Sequence, residues 1–251
     1  MTGESTSLPS LTTMRAEWGQ FFGFLKRPAL PDDQERGLRQ GAFAVSRILV
    51  LDLLAMGMLL VIAGAVMASG IAIPETALAG MEITAGIVFA VIVIAPVSEE
   101  LLFRSWLSGR PRYLTAFPIL LIAGLAAAML AVNSTGDAAT LSVGFATLVG
   151  ILLSLIMCGV LWKRPPMRWF RAVFPLMFWL STIAFACIHL ANFSEGNWMT
   201  LLPLVLPQFI LGALLGYLRV HYGLWTAIAL HMIHNGLIIA LVLGATAASG
   251  A

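Results

Sequence analysis

A pair of adjacent carboxylates interrupts a long apolar stretch of this sequence. Glu99 and Glu100 lie in the segment PVSEELLFR at positions 96–104. On a helix, Glu100 and Arg104 share a face and can form an ion pair, whereas Glu99 points about 100° away and is free for another role. Ionisable residues in apolar spans are rare and often functional, although a salt-bridge cluster where a helix leaves the membrane would also explain this pattern.

Histidines occur in two other apolar stretches. His189 ends the segment FACIH, and Cys187, two residues earlier, faces another way on a helix, which argues against a Cys/His dyad. His231 and Asn235 are four residues apart and share a helix face, while His234 lies near that face but can turn away. A lone histidine on an apolar helix is more often a hydrogen-bonded structural residue than a catalyst, so none of these residues identifies a site by itself.

The combination of these residues suits hydrolysis by an activated water. A carboxylate in an apolar surround can act as a general base, and a histidine beside it can orient or share the water. A second histidine and an amide can donate hydrogen bonds to the oxyanion that forms when water attacks a carbonyl. No Ser, Cys or Thr occupies a comparable position as a nucleophile.

Two other functions use the same types of residue. Glu99, His189 and His231 could bind a zinc ion and leave one position open for water, although the sequence lacks a His-Glu-x-x-His motif. Buried Glu and His residues also form proton paths in transporters, and a membrane scaffold or immunity protein without enzymatic activity could retain them. Stoichiometric zinc would favour the first alternative, and retained function after Glu99→Gln would favour the second.

The elements that must position these residues are membrane spans. The chain has 251 residues, of which 60% are hydrophobic and 10% charged, against about 25% charged in a typical soluble domain. Only helices satisfy their own backbone hydrogen bonds in a single span, and no segment alternates like a barrel strand. We therefore predict an all-α, polytopic transmembrane helical bundle. Its seven predicted spans are 43–69, 83–107, 114–132, 139–162, 172–193, 200–220 and 224–247.

The basic residues give this bundle an orientation. All 14 Lys and Arg residues fall on one side of the seven-span arrangement. The loops on the other side carry the acidic residues Glu75, Glu82, Asp137 and Glu195. Because basic loops stay in the cytoplasm, we expect the N-terminus there, the C-terminus outside, and a multi-pass integral protein of the cell membrane.

A mixed and more polar segment, residues 1–42, precedes the predicted transmembrane domain at 43–247. Within it, the aromatic and basic residues of 14–25 are consistent with either a short helix on the membrane surface or a disordered tail. The segment lacks the pattern of a cleavable signal peptide. In the sixth span, Gly212 and Gly216 form a small-xxx-small pair, which lets two helix backbones approach closely.

One geometric condition tests the predicted site. Counting 1.5 Å per residue from the cytoplasmic ends of the spans places Glu99 and His231 roughly 10 Å into the membrane and His189 roughly 20 Å or more. A bend at Pro175, or a break of the second span at Pro96, would reduce this gap. If His189 lay far from Glu99, the hydrolytic interpretation would fail.

Taken in order, these motifs resemble those of the CPBP family. These are the intramembrane glutamic proteases that include the type II CAAX prenyl endopeptidase and bacterial bacteriocin-processing or self-immunity relatives. The resemblance covers about 95–240 and includes the glycine-bearing sixth span. Each motif is short, but their order, each on its own span, is fairly specific. The motifs are Glu99-Glu100-x-x-x-Arg104, Phe185-x-x-x-His189 and His231-x-x-x-Asn235.

The resemblance implies an intramembrane endopeptidase with particular roles for these residues. Glu99 would activate the water, with His189 beside it. His231 and Asn235 would form the oxyanion pocket. The family resemblance implies neither a metal nor a cofactor, although its motifs look like metal ligands.

It further implies that Glu100 and Arg104 hold the geometry of the site, although Glu100 could share the role of base. The expected partners are membrane lipids and a membrane-anchored peptide or protein substrate, which could be prenylated at a CAAX-type end or carry no lipid. The site would be approached from the cytoplasm. No nucleic acid is expected as a partner, and the oligomeric state is not readable from the sequence.

Overall fold

The computed structural model describes residues 13–32, 37–76, 82–193 and 195–249. Residues 1–12 and 33–36 of the predicted N-terminal segment, and residues 77–81 and 194 of the predicted transmembrane domain, lie outside this part of the chain. The described residues form helices and no strand, apart from an isolated bridge between Thr76 and Phe193. The α-helices are α1 (Met14–Lys26), α2 (Leu38–Ala68), α3 (Ala85–Phe89), α4 (Ala95–Phe103), α5 (Pro111–Asn133), α6 (Gly136–Val160), α7 (Arg168–Ile188), α8 (Trp198–Leu201), α9 (Leu206–Tyr222) and α10 (Leu224–Ser249).

Seven helical segments of the described chain are long and apolar enough to cross a membrane. Their outer surfaces are apolar as well, as shown by the large exposed side chains of Val132, Leu141 and Phe145. The predicted all-α bundle of seven spans is therefore confirmed. The spans are Leu38–Ala68, Ala85–Phe103, Pro111–Asn133, Gly136–Val160, Arg168–Asn192, Trp198–Tyr222 and Leu224–Ala248.

Three spans contain 3₁₀ turns that the hydropathy pattern does not predict, and the fifth span ends in one at His189–Asn192. The second span is predicted over 83–107, but its last α-helical residue is Phe103, and a 3₁₀ turn at Ser105–Ser108 follows. The sixth span begins with the short α8 and a 3₁₀ turn at Leu202–Val205 before α9 starts. Pro203 lies in that second turn and has no N–H to continue an α-helix.

The second span also contains a π-helical turn, Ala90–Ile94, between α3 and α4. Here the N–H of Ala95 donates to the carbonyl of Ala90, five residues earlier. The next residue, Pro96, has no N–H, so it cannot pair in the same way with the carbonyl of Val91. Turns of this kind are frequent at functional sites.

The most deeply buried helix of the bundle is α9, which contacts α2, α7 and α10. Nearly all of its side chains from 211 to 222 are buried. A Cβ atom on Gly212 would lie 3.1 Å from the ring of Phe185, and one on Gly216 would lie 2.7 Å from the ring of Phe178. The two glycines therefore let α9 pack closely on α7, as their four-residue spacing predicts.

Replacing Gly216 by Ala is expected to destabilise the protein by about 1–3 kcal/mol. The new methyl group would lie 2.7 Å from Cε2 of Phe178. That ring is fully buried and packs on Phe24 and Phe174, so it has little room to move. The control is Gly64→Ala, where a Cβ would have no neighbour within 4 Å. Thermal unfolding in detergent measures both variants, and equal midpoints would contradict the close packing of α7 and α9.

The N-terminal helix α1 is docked on the bundle through a buried carboxylate. Glu17 is fully buried and accepts hydrogen bonds from the hydroxyls of Tyr217 and Tyr222, at 2.6 and 2.7 Å. Arg47 of α2 lies 3.6 Å from the same carboxylate. Residues Met14–Lys26 form a helix in the structure, and it buries one face against α2 and α9.

Candidate active site

Glu99 and Glu100 lie on α4, which contacts both α7 and α10. Because consecutive residues of a helix point in different directions, Glu100 is fully buried whereas 27% of the Glu99 side chain is exposed. Oε2 of Glu99 lies 3.7 Å from Nε2 of His231 and 4.0 Å from Nε2 of His189. The structure thus brings together three predicted residues that lie on three different spans.

Glu100 is held by two of the other predicted residues. Its Oε1 accepts a hydrogen bond from Nη1 of Arg104 at 3.0 Å and lies 3.0 Å from Nδ1 of His231. Arg104 is fully buried too, and its Cζ lies 3.7 Å from the centroid of the Phe185 ring. The predicted ion pair of Glu100 and Arg104 is present, and Glu100 also connects α4 to α10 through His231. Its complete burial distinguishes it from a salt-bridge cluster exposed at a helix end.

His189 follows the last residue of α7, and its ring is fixed through Nδ1. That nitrogen lies 2.7 Å from the carbonyl oxygen of Phe185. A carbonyl can only accept a hydrogen bond, so we assign the proton of the neutral ring to Nδ1. Nε2 is then the ring edge that faces Glu99.

The predicted difference in depth between Glu99 and His189 is absent from the structure. The hydroxyl of Ser181, on α7, donates to the carbonyl of Phe103 at 2.6 Å. This bond places the end of α4 beside the middle of α7, about 20 Å from the start of that helix at 1.5 Å per residue. The helix of α7 continues through Pro175, so the error arose from the assumed end of the second span.

Arg219 of α9 stabilises this early end of α4. Its Nε donates to the carbonyl of Arg104 at 2.9 Å, and its Nη2 donates to the carbonyl of Ser105 at 2.7 Å. Because the Arg219 side chain donates to these carbonyls, they do not need the N–H groups of a further helical turn as partners. The 3₁₀ turn that follows α4 ends beside the start of α7, since the N–H of Met167 donates to the carbonyl of Gly109 at 2.9 Å.

Asn235 lies one turn after His231, but its amide has a partner that the sequence does not reveal. Nδ2 of Asn235 donates to the carbonyl of Val91 at 2.9 Å. This is the carbonyl that Pro96 leaves without its helical partner. The bond links α10 to the π-helical turn and uses one of the two N–H groups of the amide.

Sequence reasoning missed one further polar pair beside these residues. Asp52 of α2 is fully buried, and its Oδ2 lies 2.7 Å from Nδ1 of His234. His234 therefore faces α2, whereas His231 faces α4. A usable signal was present, because Asp52 is the only acidic residue of the first predicted span, and such residues are functional candidates.

The donor atoms of the zinc alternative come together, since Glu99, His189 and His231 converge on one point. Across the described ranges, however, no group of three or more His, Cys, Asp or Glu side chains meets the geometry of a metal site. Chelation in solution is therefore the test that separates a metal ion from a water molecule as the shared partner of these three residues.

Comparison with protein families identifies the chain. The family model described as type II CAAX prenyl endopeptidase Rce1-like matches residues 82–165 and 155–237, which together make up more than half of the chain and include all the motif residues. Comparisons with curated proteins and with solved structures gave no match. The chain belongs to the Rce1-like type II CAAX prenyl endopeptidase family, as its motifs predict. It is an integral, multi-pass membrane protein of a membrane endopeptidase family.

Proposed function

We propose that this protein hydrolyses peptide bonds within the membrane as a glutamic endopeptidase, with Glu99 as the general base. The observation that carries the proposal is the approach of two imidazole Nε2 atoms to one carboxylate oxygen, at 3.7 and 4.0 Å. These separations are too long for direct hydrogen bonds. A single water molecule can bridge Oε2 of Glu99 and Nε2 of His189, where it would lie beside its base with Nε2 of His231 next to it.

The proton on His189 supports a role in orienting this water. Since Nδ1 donates to the carbonyl of Phe185, the neutral ring presents a lone pair at Nε2. A water molecule between His189 and Glu99 then has an acceptor for each of its two protons, which leaves an oxygen lone pair for the substrate carbonyl. Glu99 takes up one proton as the new bond to carbon forms, and it can deliver that proton to the leaving amine.

We assign the oxyanion pocket to His231 and Asn235. The two carboxylates of α4 and the guanidinium of Arg104 give a net charge of −1 (−2 plus +1). Nδ1 of His231 bonds to Glu100. When Nε2 carries a proton as well as Nδ1, the ring has a charge of +1 and neutralises the site. The Nε2–H group is then a donor for a negatively charged oxygen. Asn235 supplies the N–H group that its bond to the π-helical turn leaves unused.

Glu100 and Arg104 are positioning residues in this proposal. Both are fully buried and bonded to each other, and Glu100 also holds Nδ1 of His231. A carboxylate in this setting fixes the ring whose other edge faces the reaction. Glu99 is the better candidate for the base because 27% of its side chain is exposed, whereas Glu100 is fully buried and already bonded to Arg104.

The family and the apolar surroundings favour a membrane-associated substrate. We propose a membrane-anchored peptide or protein that is cut near its C-terminus, as a CAAX-type end would be. We place the N-terminus on the cytoplasmic side of the cell membrane, because all 14 basic residues fall on one side of the seven spans.

Cleavage of a peptide library, followed by mass spectrometry, tests the proposal. Detergent-purified protein is incubated with lipidated and plain peptides, with and without a chelator, beside the Glu99→Gln variant. Cleavage that persists in chelator and vanishes in the variant supports the glutamic mechanism. Loss on chelation that zinc restores would assign a metal enzyme instead. Cleavage of no peptide by any preparation would favour a scaffold or immunity role.

A further inference from the structure

A second carboxylate–imidazole pair lies beside the proposed site, between Asp52 of α2 and His234 of α10. Oδ2 of the buried Asp52 lies 2.7 Å from Nδ1 of His234. Glu100 and His231 form the same arrangement about one turn earlier in α10, with a buried carboxylate at Nδ1. In both pairs the carboxylate fixes the ring, and Nε2 is the edge that faces away from it.

The charge balance of the pair determines what Nε2 can do. Glu100 has Arg104 as a cationic partner, whereas in the described part of the chain Asp52 has an ion pair with His234 alone. Oδ1 of Asp52 is buried and has no hydrogen-bond partner among the described residues. A neutral pair is less costly in an apolar span than a bare carboxylate. Whether the shared proton sits on Asp52 or on Nδ1, a neutral pair has a second proton on Nε2, which makes Nε2 a donor.

The face of α10 that carries this donor is open beyond the histidines. Ala227 and Leu230, one turn before His231 and His234 respectively, are fully buried. Ile238, one turn after His234 on the same face, is 37% exposed. The packing of this face therefore loosens one turn after His234, and the His234 side chain is itself 12% exposed, whereas Ile239 on the neighbouring face is buried.

We propose that His234 is a substrate-binding residue whose Nε2–H group donates a hydrogen bond to an acceptor oxygen of the peptide. Three residues of α10 correspond to a rise of about 4.5 Å, which lies between the lengths of one and two residues of an extended peptide at about 3.3 Å each. The acceptor is either a backbone carbonyl near the scissile peptide bond, which Glu99 and His231 act on, or the terminal carboxylate of a peptide that is cut near its end. The inference rests on the proposed function, because both concern the same scissile bond.

Two amide substitutions separate substrate binding from packing. The amide of Asn reaches the position of Nδ1, so His234→Asn keeps a bond to Asp52 but loses the Nε2 donor. The amide of Gln reaches the position of Nε2, so His234→Gln keeps a donor there and loses the bond to Asp52. We expect KM to rise about tenfold in His234→Asn, with kcat nearly unchanged, and to change less than about threefold in His234→Gln. A purely structural pair predicts the reverse, with wild-type KM in His234→Asn and a loss of stability in His234→Gln alone.

His221→Asn is the matched control for a change from His to Asn. Nδ1 of His221 also lies near a protein oxygen, the carbonyl of Tyr217 at 2.9 Å, but His221 lies at the other end of the bundle, against Phe24. Its substitution should leave KM unchanged.

Peptides with free and amidated C-termini identify the acceptor. If His234 binds the carboxylate, amidation raises KM in the wild type but not in His234→Asn. If it binds a backbone carbonyl, the variant weakens both peptides equally.

Binding is also measured in the Glu99→Gln background, so that the result does not depend on catalysis. The probe is a dye-labelled farnesyl peptide that ends in a Cys-aliphatic-aliphatic-Ser sequence, followed by fluorescence anisotropy in detergent. A Kd about tenfold higher in the double variant Glu99→Gln, His234→Asn than in Glu99→Gln alone supports the inference, even where Glu99 proves not to be the base. Equal Kd values with and without His234→Asn, or no binding of the probe to folded protein, overturn it.

Discussion

Substitution of Glu99 by Gln is expected to lower kcat for peptide cleavage by about 10²- to 10⁴-fold, the contribution that a general base makes in other enzymes. Gln keeps the size of the side chain but cannot take a proton from water. Thermal stability should stay at the wild-type value, because Oε2 of Glu99 makes no hydrogen bond with the described residues. Cleavage of a fluorescence-quenched peptide gives kcat, and thermal unfolding in detergent gives the stability.

The comparison with a second carboxylate sharpens this experiment. Glu195→Gln makes the same chemical change at an exposed position of a loop, and both kcat and stability should remain at wild-type values. Glu100→Gln should lower activity and stability together, since Glu100 holds two other side chains. Loss of activity at constant stability is thus the signature of Glu99, and a Glu99→Gln variant with more than a tenth of wild-type kcat would refute its role as base.

The parts of the site that the sequence predicts are those set by helical periodicity within one span. Glu100 and Arg104 form their ion pair because four residues bring them to one face of α4. The spacing of His231 and Asn235 likewise places both on the inward face of α10. Hydropathy alone predicts the seven spans, because every uninterrupted apolar segment of this length must be helical in a membrane.

Relations between different spans were predicted less well, because they depend on where each helix ends. The predicted depth of Glu99 relative to His189 was wrong because α4 ends inside the bundle. It can end there because Arg219 donates hydrogen bonds to the carbonyls at its end. Nothing in the hydropathy of 96–108 marks that end. The contact of Asp52 with His234 is a similar case, since it depends on the packing of α2 against α10, which the pattern within each span does not determine.

Replacement of Arg104 by Met is expected to destabilise the protein by about 3–5 kcal/mol, the usual cost of removing one partner of a buried ion pair. Glu100 would keep its charge at a fully buried position and lose the hydrogen bond at 3.0 Å. The stacking on Phe185 would be lost as well. Chemical or thermal unfolding in detergent measures the change.

The matched control is Arg171→Met, which breaks an ion pair at the surface. Arg171 pairs with Asp32, and their side chains are 35% and 96% exposed. Exposed pairs of this kind contribute about 0–1 kcal/mol, so this variant should stay within that range of the wild type. A loss of stability as large as that of Arg104→Met would show that burial is not the cause.

A double variant then separates the structural role of this ion pair from its role at the site. Adding Glu100→Gln to Arg104→Met removes the unpaired buried charge, so most of the lost stability should return. Activity should not return with it, because a neutral amide no longer holds the proton of His231 Nδ1 as a carboxylate does, and the opposite ring edge loses its defined protonation. Recovery of both stability and kcat in the double variant would mean that Glu100 and Arg104 serve the packing of α4 alone. Recovery of stability without kcat would place the orientation of His231, rather than the integrity of the bundle, among the requirements for cleavage.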